Sequence, residues 1–504
     1  MLSIPRLALL AMLAAPALAA TGPNDPDTTA WWKTTTALST DAMRGRDTGS
    51  PEHRRAAEQV AAAFAKAGLQ PAGDNGSFLQ RVPVHEIAVT KAGTSLAVVR
   101  ADGGTTALRF LLEISVRPTA ALPRNIDAPI VFRGYCRAGA VGADVAGKVV
   151  LCFAGRRKGM PNGDARIAAV AAGGAVALIG IDDIGFTVEP PGWPVAYARA
   201  LSLPDAKPAA APALAVLRLN ADALPVLLAG SGQSAPALLA AAVAAAPLPG
   251  FDTTNVLRAR FNVTQRDLAS ENVIARLPGT DPALANQALV VSAHLDGYGI
   301  GEPVDGDSIY NGAFDDAAYV ATLIQLARNR GGKGFARPVY FAAFTGEEKG
   351  LLGATWFVAH PPVPVANIAA NINLDAIRPL FPLEILTVIG HGSSSLTDTI
   401  TAVAGTMGIT IRPDLEPERG MASRTDASVF LKAGVPAVSF MFGYDPGSAE
   451  EAKFRLWYRT RYHRPQDDVT QPIDFGAAGD FNRFFYALAA AVADGAARPV
   501  LTGE

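Results

Sequence analysis

Apolar runs alternate with helical patterns along the second half of the chain, from Asn272 to Glu504. Six of the runs have the length of buried strands, namely NVIARL, ALVVSAHL, VYFAAFT, ANINLDAI, EILTVIG and VPAVSFM. The helical patterns cover about 316–328, 350–358, 395–407 and 480–493. This alternation predicts an α/β fold with helices on both faces of a largely parallel sheet. In such a sheet, ligands bind beyond the carboxyl ends of the strands.

The first half of the chain has a different pattern of apolar and polar residues. Residues 31–69 are mostly of helical pattern, and the runs FLQRVPVHEIAV, TSLAVVR and ALRFLLE then predict strands. From about 128 to 180, three apolar runs separated by glycine-rich turns and one helical run, ARIAAVAAGG, predict a compact β-rich insert. Residues 204–249 are rich in Ala and Pro and contain no cluster of ligand-type side chains. We expect that segment to have a binding or a purely structural, lid-like role.

The size and charge of the chain limit the number of domains and the classes of partner to consider. A length of 504 residues suggests two or three folding units. The net charge of -2 gives no electrostatic reason to expect nucleic acid or an anionic membrane as partner. The function must therefore come from local chemistry.

The first 19 residues have the pattern of an export signal. Arg6 precedes an apolar segment from Leu7 to Leu18, and Ala17 and Ala19 have the spacing of a cleavage site. A buried first helix or a retained anchor is the alternative, but the segment is short for a membrane span. We therefore expect a periplasmic or secreted protein without a membrane anchor after cleavage.

The chain has two cysteines, Cys136 and Cys152, at the edges of two strand-like runs. In an oxidising compartment they could form a disulfide, or they could be two buried thiols. Neither has the spacing of a metal site.

Two pairs of ligand-type residues follow the first strands of the second half. His294 and Asp296 end an apolar run, and residues two apart share a face of a strand, so Asp296 can reach one ring nitrogen of His294 while the other faces a metal. Asp315 and Asp316 begin a helical pattern, where one carboxylate can act while the other caps the helix. Either pair taken alone also fits an ordinary surface pair or helix caps.

Further carboxylates and one histidine complete a candidate site. Glu347 and Glu348 are adjacent at a buried strand end, which is costly unless a cation compensates their charge. Asp375 ends another apolar run, and His463 lies on a loop before Pro465. Two histidines and several carboxylates suit borderline cations such as zinc, with enough ligands for two ions that share one carboxylate.

These motifs, in this order, resemble the co-catalytic di-zinc aminopeptidase family. The motifs are HLD, the DD of NGAFDDAA, GEEKGLLG, NLDAI and YH. The resemblance is to the branch with an inserted protease-associated domain, which also includes the glutamate carboxypeptidase type. It implies a three-layer α/β/α zinc-exopeptidase domain with a mostly parallel, mixed sheet. The implied division is signal peptide 1–19, peptidase domain 20–112 and 256–504, and protease-associated domain 113–255.

The resemblance also implies roles for individual residues and a cofactor of two zinc ions. His294 and Asp375 would bind one zinc ion, Glu348 and His463 the other, and Asp315 would bridge them. Glu347 would be the general base for a metal-bridging water. Three further residues would assist: Asp296 would orient His294, Asp316 would support the site without binding metal, and Tyr462 would hold the oxyanion or simply pack.

The expected function is an exported aminopeptidase that releases N-terminal residues from peptides. A metallo-carboxypeptidase or dipeptidase on the same residues is the alternative, for which Arg378, Arg424 and Arg464 are candidate carboxylate holders. A one-zinc glutaminyl cyclase does not need all five ligands, and a receptor-like peptide-binding protein would have lost them. One departure from the family concerns substrate preference, because Ala427 stands where many relatives have a histidine near the pocket.

Overall fold

The structure is a computed structural model that describes residues 25–204 and 214–502. The predicted signal peptide, residues 1–19, lies outside the described residues. The strands are β1 Gln70–Pro71, β2 Leu79–Val99, β3 Thr105–Leu108, β4 Ile114–Val116, β5 Asn125–Arg133, β6 Val149–Phe153, β7 Ala177–Ile181, β8 Ala198–Ser202, β9 Ala215–Leu219, β10 Gly250–Leu277, β11 Ala288–His294, β12 Gly299–Val304, β13 Asp307–Tyr310, β14 Val339–Phe344, β15 Ile368–Asn373, β16 Ile385–Ile389, β17 Thr410–Pro413 and β18 Ala437–Phe442.

The helices begin and end at well-defined residues. They are α1 Pro26–Leu38, α2 Pro51–Lys66, α3 Gly163–Ala172, α4 Leu224–Leu228, α5 Ala235–Val243, α6 Ala318–Arg330, α7 Leu352–Ala359, α8 Leu396–Thr406, α9 Ala427–Lys432, α10 Ala449–Thr460 and α11 Phe475–Asp494. Side-chain caps fix several starts; Ser50, for example, accepts a hydrogen bond from the backbone N–H of His53 at the start of α2.

The strands of the second half form one end of a large sheet in the order β17-β16-β18-β15-β11-β14-β10. Strand β11 pairs in parallel with β14 on one side and with β15 on the other. Strand β15 is also parallel to β18, whereas β16 and β10 are antiparallel to their neighbours β18 and β14. The predicted α/β fold with a mostly parallel, mixed central sheet is confirmed.

Alternating side chains of β11 face two different cores, which explains the layers. Leu289 and Val291 pack in the core that helices α1, α2, α6, α8 and α11 cover. Ala288 and Val290 face the opposite core, beneath α7 and α9. Because successive residues of a strand point to opposite faces, a continuous apolar run is what a sheet covered on both sides requires.

A second group of strands continues the same sheet and surrounds a core of its own. Strands β5, β6, β7 and β9 are parallel neighbours, and β4 pairs antiparallel with β9. Their core takes residues from Val89 to Val263. Helix α3 is the helical run expected in this part of the chain, and α4 and α5 follow it. The assignment of this part to a protease-associated domain over 113–255 stays a prediction.

Two long strands connect the two parts. Strand β10 pairs with β5 near its start and with β14 near its end. Strand β2 runs beside β10 as one continuous strand, with a register shift between Arg260 and Asn262. The predicted strands FLQRVPVHEIAV and TSLAVVR form the two paired parts of β2, and between them residues 91–94 have no register partner on β10. The run ALRFLLE is divided between the end of β3 and a turn before β4.

Cys136 and Cys152 form a disulfide, with their Cα atoms 5.8 Å apart. Both are buried beside Val131 and Val150. Of the two alternatives, a disulfide and two buried thiols, the structure therefore has the disulfide. In residues 25–204 and 214–502, none of the helices combines the length and the apolar character that a membrane crossing demands.

Candidate metal centre

Three of the predicted ligands lie at the carboxyl ends of adjacent parallel strands. His294 ends β11, Glu348 lies in the loop after β14, and Asp375 comes two residues after β15. Strand β11 lies between the other two, in a register that pairs His294 with Phe344 and Ser292 with Asn373. Parallel strands end at the same edge of a sheet, so these side chains converge there.

Asp315 comes from the irregular turn before α6. Asp315 and Asp316 have non-helical backbone angles within the segment Ala313–Ala317, and Gly312 before it has a positive φ of 59°. A Cβ atom at Gly312 would collide with the carbonyl oxygen of Asp315, so glycine is needed there. Asp467 holds the turn, because its Oδ1 accepts a hydrogen bond of 3.0 Å from the N–H of Phe314.

His463 reaches the same place from the loop after α10. It has a φ of 52°, in the left-handed region that non-glycine residues seldom adopt. Its ring stacks on that of Tyr462 with 3.7 Å between the centroids. Tyr298 Oη lies 2.9 Å from His463 Nδ1, which leaves Nε2 facing the carboxylates.

The five predicted ligands form two groups that share Asp315. In each group the possible ligand atoms lie within 4.8 Å of one another, and the groups are His294, Asp315 and Asp375, and Asp315, Glu348 and His463. Nε2 of His294 lies 3.4 Å from Oδ1 of Asp315, and Nε2 of His463 lies 3.3 Å from its Oδ2. Each Asp315 oxygen therefore faces a different group.

The chemistry of these residues fits a pair of bound cations. Within the described residues, Nε2 of His294 and Oδ2 of Asp315 are buried without a hydrogen-bond partner. Burial raises the pKa of Glu348 to about 7, although His463 opposes the shift. Burial and the nearby charge of Asp315 also raise the pKa of Asp375. Crowded carboxylates of this kind keep their charge most readily beside a cation, and His and carboxylate ligands suit zinc.

Asp315 differs from its neighbours. Burial raises its pKa, but contacts with the two histidines and the charge of Arg378 outweigh burial and hold the pKa well below the usual value. Nη2 of Arg378 lies 3.6 Å from Oδ1 of Asp315. The shared ligand is therefore the carboxylate that stays ionised most strongly.

Glu347 lies beside the ligands without belonging to either group. Burial, followed by the charges of Asp375 and Glu348, raises the pKa of its carboxyl well above the usual value. Its backbone N–H donates a hydrogen bond of 3.0 Å to Oδ1 of Asp296. A carboxyl of raised proton affinity held next to a metal site has the properties of a general base.

Asp296 supports the site in a different way from the one expected. Nδ1 of His294 donates to the backbone oxygen of Asp296 at 3.0 Å, whereas the nearest Asp296 carboxylate oxygen is 3.7 Å away. The carboxylate instead accepts hydrogen bonds from Glu347 N–H and from Thr48 Oγ1. Asp296 therefore orients His294 through its backbone oxygen, while two nearer donors hold its carboxylate. The tautomer of His294 is still fixed with Nε2 free.

Asp316 does not cap the helix that follows it. Its Oδ2 accepts a hydrogen bond of 3.0 Å from the backbone N–H of His294, and α6 begins without a side-chain cap. Asp316 thus holds the end of β11 in place, as its expected supporting role requires.

Tyr462 lines the same cavities as Glu347 and Glu348. Its hydroxyl oxygen accepts a hydrogen bond of 2.7 Å from Nη2 of Arg424. Arg424 in turn donates to Glu189, which also binds Arg419. Glu189 belongs to the segment between β7 and β8, so the first half of the chain contributes directly to the surroundings of the site.

The sequence analysis missed several supporting residues. Tyr298 positions His463, Asp467 holds the turn of Asp315, and Glu189 holds Arg424. Tyr298 follows directly after the HLDG motif, a signal that could have been used. Glu189 lies far from every motif along the chain, and only the folded structure brings it near.

The candidate carboxylate holders have different surroundings. Arg378 is fully buried and donates to the backbone oxygens of Phe314 and Ile377. Arg424 is paired with Glu189, whereas Arg464 donates to a backbone oxygen, that of Pro194. Ala427 lies in the apolar core with Phe344 and Phe430, outside the metal groups.

Known proteins resemble this chain in sequence and in structure. The model of peptidase family M28 matches residues 272–489. A protein of Pyrenophora teres f. teres (strain 0-1) named "Probable zinc metalloprotease" is 34% identical over 105 residues, 21% of this chain and 22% of that protein. The alkaline phosphatase isozyme conversion protein of Escherichia coli (strain K12) is 28% identical over 255 residues, 46% of this chain and 72% of that protein. The match thus spans less than a quarter of the fungal relative.

Two solved structures share the fold over nearly the whole chain. The aminopeptidase from Aneurinibacillus sp. strain AM-1 has a TM-score of 0.60 at 20% identity, covering 95% of this chain and 96% of that one. The zinc aminopeptidase BSAP from Bacillus subtilis has a TM-score of 0.59 at 16% identity, covering 95% of each chain. Residues 272–489 of this chain thus resemble peptidase family M28, a family of co-catalytic zinc peptidases.

Proposed function

We propose that this chain is an exported zinc-dependent exopeptidase, an aminopeptidase that hydrolyses N-terminal residues from peptides and binds two zinc ions. The observation that carries the proposal is the pair of ligand groups that share Asp315, with Glu347 beside both of them. Export follows from the signal pattern of residues 1–19 and implies a periplasmic or secreted enzyme.

The zinc ions, held by His294, Asp315, Asp375, Glu348 and His463, would supply Lewis acidity toward the scissile carbonyl and the attacking water. The protein residues do the proton transfer. Glu347 removes a proton from the water as it attacks the peptide carbonyl, then donates that proton to the leaving amine. The carboxylate of Asp296 keeps Glu347 in position by accepting a hydrogen bond from the backbone N–H of Glu347.

Tyr462 has the right surroundings to stabilise the oxyanion that develops on the peptide carbonyl. Its hydroxyl oxygen accepts from Arg424, so its own proton remains free for a hydrogen bond toward the site. Burial raises the pKa of Tyr462 well above the usual value, so the hydroxyl stays protonated. A preorganised donor of this kind lowers the barrier to acyl transfer.

The shape of the site supports an aminopeptidase. A narrow recess of about 20 Å³ ends against the carboxylates of Asp315, Glu347 and Asp375. Two guanidinium groups also border the recess. That of Arg378 pairs with Asp315, and that of Arg424 pairs with Glu189. Neither guanidinium group is therefore free to hold a substrate carboxylate at this end, which favours binding of the amino end of a peptide there. A carboxypeptidase or dipeptidase is the second candidate, because basic side chains line the cleft that meets the recess.

Peptides with a blocked amino or carboxyl end distinguish an aminopeptidase from a carboxypeptidase. The zinc-loaded protein should cleave Leu-Ala-Ala and its C-terminal amide from the amino end but leave N-acetyl-Leu-Ala-Ala intact. A chelator should abolish the activity, and added zinc should restore it. Cleavage of the acetylated peptide at its carboxyl end would favour the second candidate. Well-folded protein that binds no zinc would support a receptor-like role instead.

A further inference from the structure

We infer that the cleft leading to the metal centre is an anion-binding subsite that holds a carboxylate of a short acidic peptide while its amino end lies at the metals. This inference rests on the proposed peptidase function and adds a substrate class to it. The carboxylate can belong to the C-terminus of the peptide or to an acidic side chain, and both have the same chemistry.

The cleft is large and continuous with the metal centre. Its volume is about 1050 Å³, and Glu348 and His463 lie in its wall. Pockets of this size accommodate ligands as large as a short peptide. Part of the opposite wall is the segment from Glu189 to Tyr197, so residues outside the M28 match shape the cleft.

The cleft is strongly basic, although the chain as a whole is slightly acidic. Nine arginine and lysine side chains line it, against three carboxylates. Five of the nine have a carboxylate within 4.0 Å. Among the described residues, four have none within that distance, namely Arg117, Arg156, Arg459 and Arg464. A concave wall with an excess of positive charge concentrates anionic ligands.

Arg464 is the guanidinium closest in sequence to the metal ligands. It follows His463 directly, and its Nη1 donates a hydrogen bond of 2.6 Å to the backbone oxygen of Pro194. A Cβ atom at Gly192 would collide with the guanidinium, so the glycine makes room for it. A partly buried guanidinium without a carboxylate partner loses hydration that an anionic ligand would replace.

The basic surface continues outward from Arg464. Arg218 lies against the ring of Trp193 at 5.1 Å and is paired with Asp182. Arg117 and Arg156 are exposed beyond it. Glu189 neutralises Arg419 and Arg424 beside Tyr462, so the charge left for a substrate carboxylate belongs to the arginines without a carboxylate partner.

Three peptides with the same amino end test the inference. Leu-Ala-Ala-amide carries no carboxylate, Leu-Ala-Ala carries one at its C-terminus, and Leu-Ala-Glu-amide carries one on a side chain. At low ionic strength we expect kcat/KM for either anionic peptide to exceed that for the neutral one by about tenfold. The advantage should shrink in high salt, where exposed charges are screened. A preference for one anionic peptide over the other identifies the source of the carboxylate.

Charge-removing variants locate the effect in the cleft. Arg464→Gln and the double variant Arg117→Gln with Arg156→Gln should reduce the preference for the anionic peptides, mainly through KM, and Arg464→Lys should restore part of it. Arg260→Gln removes the same charge from an exposed site on β10 and should leave the preference unchanged. Equal kcat/KM for the neutral and anionic peptides, or an unchanged preference in Arg464→Gln, would overturn the inference.

Binding separates failure of the subsite from failure of the peptidase function. Calorimetry with the zinc-loaded Glu347→Gln variant measures Kd for the same peptides without turnover. If the wild-type protein hydrolyses none of them, the peptidase proposal fails, whereas tighter binding of the anionic peptides that Arg464→Gln weakens would still support the subsite. Equal Kd values for all three peptides would reject the subsite even if hydrolysis is observed.

Discussion

The backbone N–H of Glu347 donates a hydrogen bond of 3.0 Å to Oδ1 of Asp296. The other oxygen of the same carboxylate accepts a hydrogen bond of 2.9 Å from Thr48 Oγ1. One carboxylate thus links the loop of Glu347 to the turn after His294 and to the N-terminal part of the chain.

Asp296→Asn should reduce proton transfer by Glu347 more than it reduces zinc binding. An asparagine amide has one oxygen, so either Glu347 N–H or Thr48 Oγ1 loses its acceptor. We expect kcat to fall by about 10- to 100-fold, the usual range for residues that hold a metal site in place. Thr48→Val is the matched control, because it removes a single hydrogen bond and should cost less. Wild-type kcat in Asp296→Asn would show that this link is dispensable.

Tyr298→Phe should weaken the second metal group specifically. The variant removes the hydroxyl that lies 2.9 Å from Nδ1 of His463. Losing such a partner lowers metal affinity by about tenfold or more, which competition with a zinc chelator measures. Tyr310→Phe removes a hydroxyl that donates to the backbone oxygen of Glu302 and should keep wild-type affinity. Equal affinities in both variants would contradict this role for Tyr298.

Glu189→Gln tests whether the first half of the chain supports catalysis. The variant removes the charge that pairs with Arg419 and Arg424, and Arg424 holds the hydroxyl of Tyr462. We expect kcat to fall by roughly tenfold, while zinc content stays at the wild-type level. Glu113→Gln, which breaks the ion pair with Arg109 far from Tyr462, provides the control. An equal kcat in the two variants would exclude the link.

His53 should make the protein less stable in acid. It is fully buried, and burial lowers its pKa from 6.5 to about 4. The unfolded chain therefore takes up a proton first as pH falls below 6.5, so the free energy of unfolding decreases until the folded-state pKa is reached. Between pH 7.5 and pH 5 the loss should be about 2 kcal/mol.

Urea unfolding at the two pH values measures this loss. His53→Asn cannot titrate and should lose about 2 kcal/mol less than the wild-type protein over the same interval. His391→Asn, at an exposed histidine, should behave like the wild-type protein. A wild-type pH dependence in His53→Asn would assign the acid sensitivity to other groups.

The sequence was sufficient to predict the strands of the main sheet and the candidate ligands that converge at their ends. Buried parallel strands are continuous apolar runs, so His294, Glu348 and Asp375 were recognisable as polar residues that interrupt such runs. Asp315 and His463 have no such signal, and their roles depended on resemblance to a family. Only folding brings both of them to the same edge as β11 and β14.

Other features depended on long-range pairing. Strand β2, of 21 residues, forms by pairing with β10, of 28 residues, and no local pattern encodes that partnership. The carboxylates of Asp296, Asp316 and Glu189 each have several possible donors. Which donors they bind is decided by residues that become neighbours only in the folded chain. The Asp296 carboxylate accepts from Thr48 and Glu347, while the backbone oxygen of Asp296 accepts from His294.

Zinc content and turnover, measured together in two variants, test the central claim that Asp315 serves two metal groups while Glu347 binds neither. We predict that Glu347→Gln keeps the wild-type zinc content of about two ions per chain and loses at least about 1000-fold in kcat. Asp315→Asn should lose both zinc and activity. Full turnover in Glu347→Gln, or a wild-type zinc content in Asp315→Asn, would contradict the account.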